Sequence, residues 1–235
     1  MRLFFTGDTH RDIDIHKLTV DAWPEQKTLT RDDHLVICGD FGCIWDGSRT
    51  DEYWLDWHNN KPYTTLVCLG NHENYSLIEK IPQEDWRGAK VRRARENVLI
   101  LERGGVYDLK GVTLWTMGGA TSHDMEYRIP GRSWWPQEIP SFEELDDGIN
   151  AIERAGDKAN IIVTHCAPSC VLKSLGDIYK PDILTNYLSL VRSVTAFDRW
   201  YFGHYHLDKD INDGLSCLYN RVVEYKIVKQ GDSHE

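Results

Sequence analysis

No apolar run in this 235-residue chain approaches the roughly 20 residues that a membrane-spanning helix requires. A basic-then-apolar leader is missing too. MRLFFTGDTH turns polar after five residues, so no signal peptide is expected. Internal repeats, low-complexity tracts and flexible linkers are absent, and one domain over residues 1–235 is expected. Cys166 and Cys170 form a CxxxC with no second pair to complete a zinc-ribbon spacing. The other cysteines are scattered, with Cys38 and Cys68 inside apolar runs where buried free thiols are common, so a reduced, cytoplasmic setting is expected. Positive charge is in deficit. Lys and Arg number 27 against 37 Asp and Glu, and the net charge of −10 argues against broad affinity for nucleic acid or anionic membranes, although carboxylates that chelate cations would reverse the charge locally. One stretch runs the other way: RGAKVRRAR, residues 87–95, holds five basic residues in nine and reads as a solvated face or loop rather than a polyanion contact.

The chain has the material for a core, with 41% hydrophobic and 11% aromatic residues. One pattern recurs along it. RLFFT precedes GDTH (7–10), HLVIC precedes GDFG (39–42), and TTLVCL precedes GNHE (70–73). NIIVT runs into His165, and RWYF into GHYH (203–206). Short β-prone runs bounded by glycine read as buried strands. In open α/β sheets the loops beyond the strand carboxyl ends are where ligands sit.

Helices alternate with these strands. DEYWLDWHNN (51–60) suits a short amphipathic helix. In SFEELDDGINAIERAG (141–156), Ser141 and Glu144 form a capping box, Phe142, Leu145, Ile149 and Ile152 share a face, and Gly156 ends the helix. PDILTNYLSLVRSV (181–194) starts at Pro181 and is apolar on one side. VLILERGGVYDLKGVTLWTM, from about 98, suggests three short strands joined by glycine turns, and residues 210–228 suggest further antiparallel strands. Packed sheets with helices outside are implied.

The polar residues at the five strand ends are Asp8, His10, Asp40, Asn71, His72, His165, His204 and His206. Singly each motif is weak, because a lone Gly-Asp is usually a turn and a lone histidine is usually packing. Five together, in this order, are not explained by structure alone. His16, His34, His58, His123 and His234 lack such placement and are expected in surface or capping roles.

The set DxH, GD, GNH followed by an acid, a lone His and GHxH resembles the calcineurin-like metallophosphoesterases, over nearly the whole length from Asp8 to His206. The resemblance implies a four-layer αββα sandwich, two mixed β-sheets flanked by helices, with a two-metal site at one sheet edge. It implies that Asp8, His10 and His206 bind one divalent transition-metal ion, that Asn71, His165 and His204 bind a second, and that Asp40 bridges them. Such donors suit manganese first, with iron, nickel or zinc as alternatives to it, better than calcium. The implied activity is phosphoester hydrolysis by a metal-bridging hydroxide, with His72 protonating or stabilising the leaving oxygen.

Departures narrow the resemblance. Cys43 stands where protein phosphatases of this superfamily have the aspartate that orients the GNH histidine, and Leu69 stands where they have a phosphate-binding arginine. GNHENY and the segment after it also look somewhat like RNA lariat-debranching enzymes, which have cysteine in place of Asp8. The irregular, Pro- and Gly-punctuated segment 121–141 is the expected specificity loop. In it Arg128 or Arg132 would clamp a phosphate, and Trp134 and Trp135 would either stack on a base or sugar or tack the loop to the body. A nuclease or nucleotide phosphodiesterase on the same site is one alternative, with nucleic acid or nucleotide entering only as substrate. A metal-retaining scaffold with little activity is another, though it has no need of Asp8, Asp40 and His72 together.

Overall fold

Strands buried on both faces carry apolar side chains at consecutive positions rather than at every second one. RLFFT, HLVIC and TTLVC do so. In the computed structural model, which describes residues 1–226, they form β1 (Leu3–Thr6), β2 (His34–Cys38) and β3 (Thr64–Cys68), each buried throughout. The three run parallel and side by side, with Phe4 opposite Leu35 and Val36 opposite Leu66. β4 (Gln83–Trp86), β5 (Ala89–Arg95) and β6 (Val98–Leu101) continue the sheet beyond β3. The second sheet holds β7 (Val106–Leu109), β8 (Val112–Met117), β9 (Ile161–Thr164), β10 (Arg199–Phe202), β11 (Lys209–Ile211) and β12 (Leu215–Cys217), in the order β11-β12-β10-β9-β8-β7. β13 (Val223–Tyr225) returns antiparallel to β1, giving the first sheet the order β13-β1-β2-β3-β6-β5-β4.

The helices are α1 (Arg49–Asn59), α2 (Tyr75–Ile78), α3 (Phe142–Arg154), α4 (Leu172–Leu175) and α5 (Ile183–Val194). Three apolar clusters separate four layers. Between the sheets lie Phe5, Val36, Leu66, Leu114, Val163 and Tyr201, with the rings of Phe5 and Tyr201 stacked at 4.2 Å. Phe4, Leu35, Ile37 and Val67 face the other way, towards Leu18 and Leu55 of the α1 side. Trp115, Ile162 and Trp200 pack against Leu145, Ile152, Leu184 and Leu188 of α3 and α5. This is the αββα sandwich, with two mixed sheets flanked by helices. Among the described residues no helix is long and apolar enough to cross a membrane.

Several expectations change in detail. The strands from 98 onward exist, but they do not form one meander: β6 pairs with β3, whereas β7 and β8 belong to the other sheet. Of the two readings of the basic stretch, a solvated face fits and a loop does not, since from Ala89 onward it is strand β5, and its charges are taken up locally. Lys90 pairs with Asp85, Arg92 with Glu102, Arg93 with Glu84, and Arg95 with Glu52 and Asp56. The capping box of α3 is formed, but Phe142 is 75% exposed, and Leu145, Gly148 and Ile152 make the buried face. Asp182 caps α5, with Pro181 one residue before it. Of the expected C-terminal strands, residues 227 and 228 lie outside the described residues, as does His234. His34 and His58 are buried, not surface, histidines.

Candidate metal centre and active site

The ligand-type residues begin where the strands stop, and the backbone there is strained. Asp8, His10, Asp40, His204 and His206 all have positive φ, at 29°, 42°, 49°, 69° and 51°. Each such conformation in a non-glycine residue costs on the order of 1–3 kcal/mol and clusters at functional sites. The loops also interlock. A Cβ on Gly39, whose φ is +91°, would lie 2.0 Å from His165 Nδ1, and one on Gly70 would lie 2.2 Å from Asp40 Oδ1. Glycine at these two positions lets one loop's functional side chain occupy the space of another loop's missing one.

Asp40 is at the centre. Its Oδ2 lies 3.1 Å from His10 Nε2 and its Oδ1 3.2 Å from His165 Nε2. His165 Nε2 is also 3.0 Å from Asn71 Oδ1, and His206 Nε2 is 3.9 Å from Asp8 Oδ1. Bonds of about 2.1 Å to a shared ion separate neighbouring donors by about 3 Å, which is the spacing found around His165 and His10. Three convergent groups result: Asp8, His10 and His206; His10, Asp40 and His72; and Asp8, Asp40 and His165. His204 completes the cluster, its ring 5.0 Å from that of His165.

Each ligand-type side chain is aimed by a partner. His10 Nδ1 donates to Asp14 at 2.7 Å, and His165 Nδ1 donates to the Cys38 carbonyl at 2.8 Å, so both turn Nε2 towards Asp40. Asp14 also accepts from the Tyr219 hydroxyl at 2.8 Å, and the Tyr219 ring stacks on His206 at 4.6 Å. Asn71 donates to Ser122 at 3.1 Å, and Ser122 donates to buried Glu138 at 2.6 Å, which leaves the Asn71 carbonyl facing His165. Backbone N–H groups brace the carboxylates, His72 donating to Asp40 at 2.8 Å and His204 to Asp8 at 3.0 Å. Glu73 accepts from Phe41 N–H at 2.7 Å and ties the GDFG loop to GNHE.

The electrostatics favour a cation. Asp8 and Asp40 are buried side by side, and the nearby Lys17 ammonium is spent on the carbonyls of Gly7, Asp8 and Tyr219. Burial pushes Asp8 up to about 7 against the pull of His165. Burial opposes ionisation of Asp40 as well, but His165 and His10 hold it well below the ordinary carboxylate value. The same carboxylate outweighs burial at His10 and His165 and raises both to about 9. Protons thus stand in for positive charge that the protein itself does not supply, so the donor set fits divalent ions.

His72 has a different environment. Trp45 lies nearly parallel to its ring at 6.3 Å, and Arg128 Nη2 donates to its Nε2 at 3.0 Å. A guanidinium cannot accept, so His72 carries its proton on Nδ1. Burial, opposed by Asp40 and assisted by Arg128, lowers the imidazole to about 4. Arg128 is held in turn by Asp124 at 2.7 Å. Cys43, in the place of the usual orienting aspartate, is buried with its thiol against the Phe41 carbonyl. Asp51 instead fixes the Trp45 loop, accepting from the N–H groups of Trp45, Asp46 and Gly47 at 2.7–2.9 Å.

The eight strand-end residues and Arg128 are therefore brought together; the rest of the 121–141 loop is not. Arg132 is exposed, and its side chain makes no hydrogen bond or ion pair among the described residues. Trp134 is half-buried. Trp135 is only 1% exposed and packs edge-on against Trp45, so it tacks the loop to the body and offers no stacking surface for a base or sugar. Sequence reasoning missed Asp14, Tyr219, Ser122 and Glu138. Only Asp14, four residues after His10, had a local signal.

The chain belongs to the calcineurin-like phosphoesterase family, whose model matches residues 1–208. Membership and the clustered donors make it, in general terms, a metal-dependent phosphoesterase. No curated protein matches it. Among solved structures it is similar to the phosphopantetheinyl hydrolase PptH of Mycobacterium tuberculosis, at 15% identity and TM-score 0.47 over 97% of both chains. It is also similar to AQ665, a protein of unknown function from Aquifex aeolicus, at 13% identity and TM-score 0.34 over 95% of both.

Proposed function

We propose that this chain, as one domain in a reducing cytoplasm, hydrolyses phosphoesters at a dinuclear centre. Asp8, His10 and His206 would hold one divalent ion, Asn71, His165 and His204 a second, and Asp40 would serve both. All six cysteines are free thiols and five of them are buried, in keeping with that compartment. The observation that carries the reading is the bidirectional Asp40 carboxylate, one oxygen turned to His10 and the other to His165. Two divalent ions, manganese first among them, would supply a hydroxide nucleophile and neutralise phosphoryl oxygens.

The chain's own residues do the rest. Arg128 stands over the centre with a guanidinium suited to bidentate contact with a phosphate. A phosphate that draws Arg128 to itself frees His72 Nε2 and removes a charge that opposes its protonation, so Nε2, turned to the leaving oxygen, takes up a proton from solvent and passes it on. The 121–141 loop thereby couples substrate arrival to the release of His72. Arg132 and Trp134, on the same loop, are left for the outer parts of the substrate. The nuclease alternative draws no support from the basic stretch 87–95, because four of its five basic residues pair with acids on their own sheet edge or on α1. Metal-dependent turnover of 4-nitrophenyl phosphate esters tests the proposal, and a metal-loaded protein that turned over none of them would be a scaffold.

A further inference from the structure

A cleft beside His204 has no part in the chemistry above. It is about 260 Å³ in volume and is walled by the start of the 121–141 loop and by segment 176–182 between α4 and α5. The His123 ring lies 5.0 Å from His204 and 5.8 Å from Tyr179, and Tyr179 meets Tyr205 edge-on at 4.7 Å. Ile178 shares this lining yet is 79% exposed, an apolar side chain left uncovered at a polar centre's edge. Lys180 also lines the cleft and makes no ion pair among the described residues. The neighbouring Asp182 is engaged, accepting from the Thr121 hydroxyl at 2.6 Å and from Thr185 N–H at 2.7 Å.

The cluster thus has two ends. His72, with Arg128 and Trp45, packs against His10 at 5.1 Å, whereas His123 and Tyr179 continue the line from His165 through His204. With the leaving oxygen at His72 and the attacking oxygen in line behind phosphorus, the retained substituent lies to the side of that axis, and the His123–Tyr179 cleft is a place on that side for it.

We propose that the His123–Tyr179–Ile178 cleft binds the retained arm of a phosphodiester, and that this arm is flat or apolar and about the size of an aryl ring. The inference rests on the phosphoesterase reading and names its substrate class. The volume is just below the roughly 300–1,000 Å³ of sites that enclose a whole drug-sized ligand, so it fits one arm rather than an entire substrate. Aromatic walls reward a flat arm by offset or edge contact, and Ile178 covers its outer edge. In the reaction a bond forms from water oxygen to phosphorus and the bond to the leaving oxygen breaks. Water gives up a proton, the leaving oxygen gains one, and the retained ester bond stays intact. A monoester leaves the cleft unfilled.

Three substrates with the same leaving group test this on the manganese-loaded protein: 4-nitrophenyl phosphate, methyl 4-nitrophenyl phosphate and bis(4-nitrophenyl) phosphate. The expected result is a kcat/KM preference for the bis-aryl over the methyl diester. Ile178→Ser and Tyr179→Ala should each cut that preference, Tyr179→Ala by about tenfold, the effect of losing one stacking ring. Tyr179→Phe should retain it. Equal losses on all three substrates, or an unchanged ratio in both variants, would overturn the subsite while leaving the phosphoesterase reading intact. If the wild-type protein turned over none of the three, the phosphoesterase reading itself would fail and take the subsite with it.

Discussion

The Asn71 side-chain amide donates to Ser122 Oγ at 3.1 Å, and this single bond decides which of its two ends faces His165. Ser122 is fixed by Glu138, whose carboxyl burial raises to about 7. Both residues belong to the 121–141 segment, so the proposed specificity loop also sets a proposed metal ligand. Ser122→Ala should free the amide to turn and weaken the second ion by about 10- to 100-fold, the usual effect of losing an outer partner. Ser122→Thr, which keeps the hydroxyl, should restore it. Stepwise manganese titration by calorimetry reads the two sites separately, and equal weakening of both ions would show a general loss of structure instead.

The same loop meets His72 through Arg128. His72→Ala should leave both ions bound and lower turnover by roughly a hundred- to ten-thousand-fold, as for a general acid. That loss should shrink for substrates with good leaving groups. Arg128→Ala should raise KM, because it removes a phosphate contact, and should do so with little dependence on the leaving group. Comparing alkyl and nitrophenyl esters in both variants separates the roles. Equal losses of His72→Ala on the two would make His72 a positioning residue.

Two histidines remote from the chemistry predict a pH effect on stability. Burial lowers His34 to about 4 and His58 to about 3. In the unfolded chain each titrates near 6.5, so between these values the unfolded state binds more protons and stability rises with pH. The contribution is fully present above about pH 6.5 and is lost as pH falls towards 4, by about 1.4 kcal/mol per pH unit for each histidine. Urea midpoints from pH 7 to pH 4.5 should therefore fall less steeply in His58→Leu than in the wild type. Parallel profiles would contradict the account.

The centre was legible in sequence because each of its residues follows a strand directly, and a glycine marks four of the five strand ends. Its supports were not. Tyr219 reaches Asp14 and Ser122 reaches Asn71 from segments with no pattern of their own. The β4–β5 hairpin was hidden because only Val91 of β5 is buried, so the strand's charges read as a solvated face or loop. Phe142 was misjudged, and for Trp135 the sequence left stacking and tacking the loop to the body both open. Helical spacing does not say how far a sheet extends beneath an end residue, and loop composition does not show that Trp45 would cover a tryptophan.

The most direct test is metal content combined with Asp40→Asn. Purified wild-type protein should hold about two transition-metal ions per chain, and a strong chelator should abolish activity that manganese restores. Asp40→Asn should lose both ions and nearly all turnover, since Asp40 faces both halves of the centre. Full activity with no more than one ion per chain, or an Asp40→Asn variant with near-normal metal content and rate, would contradict the two-metal account.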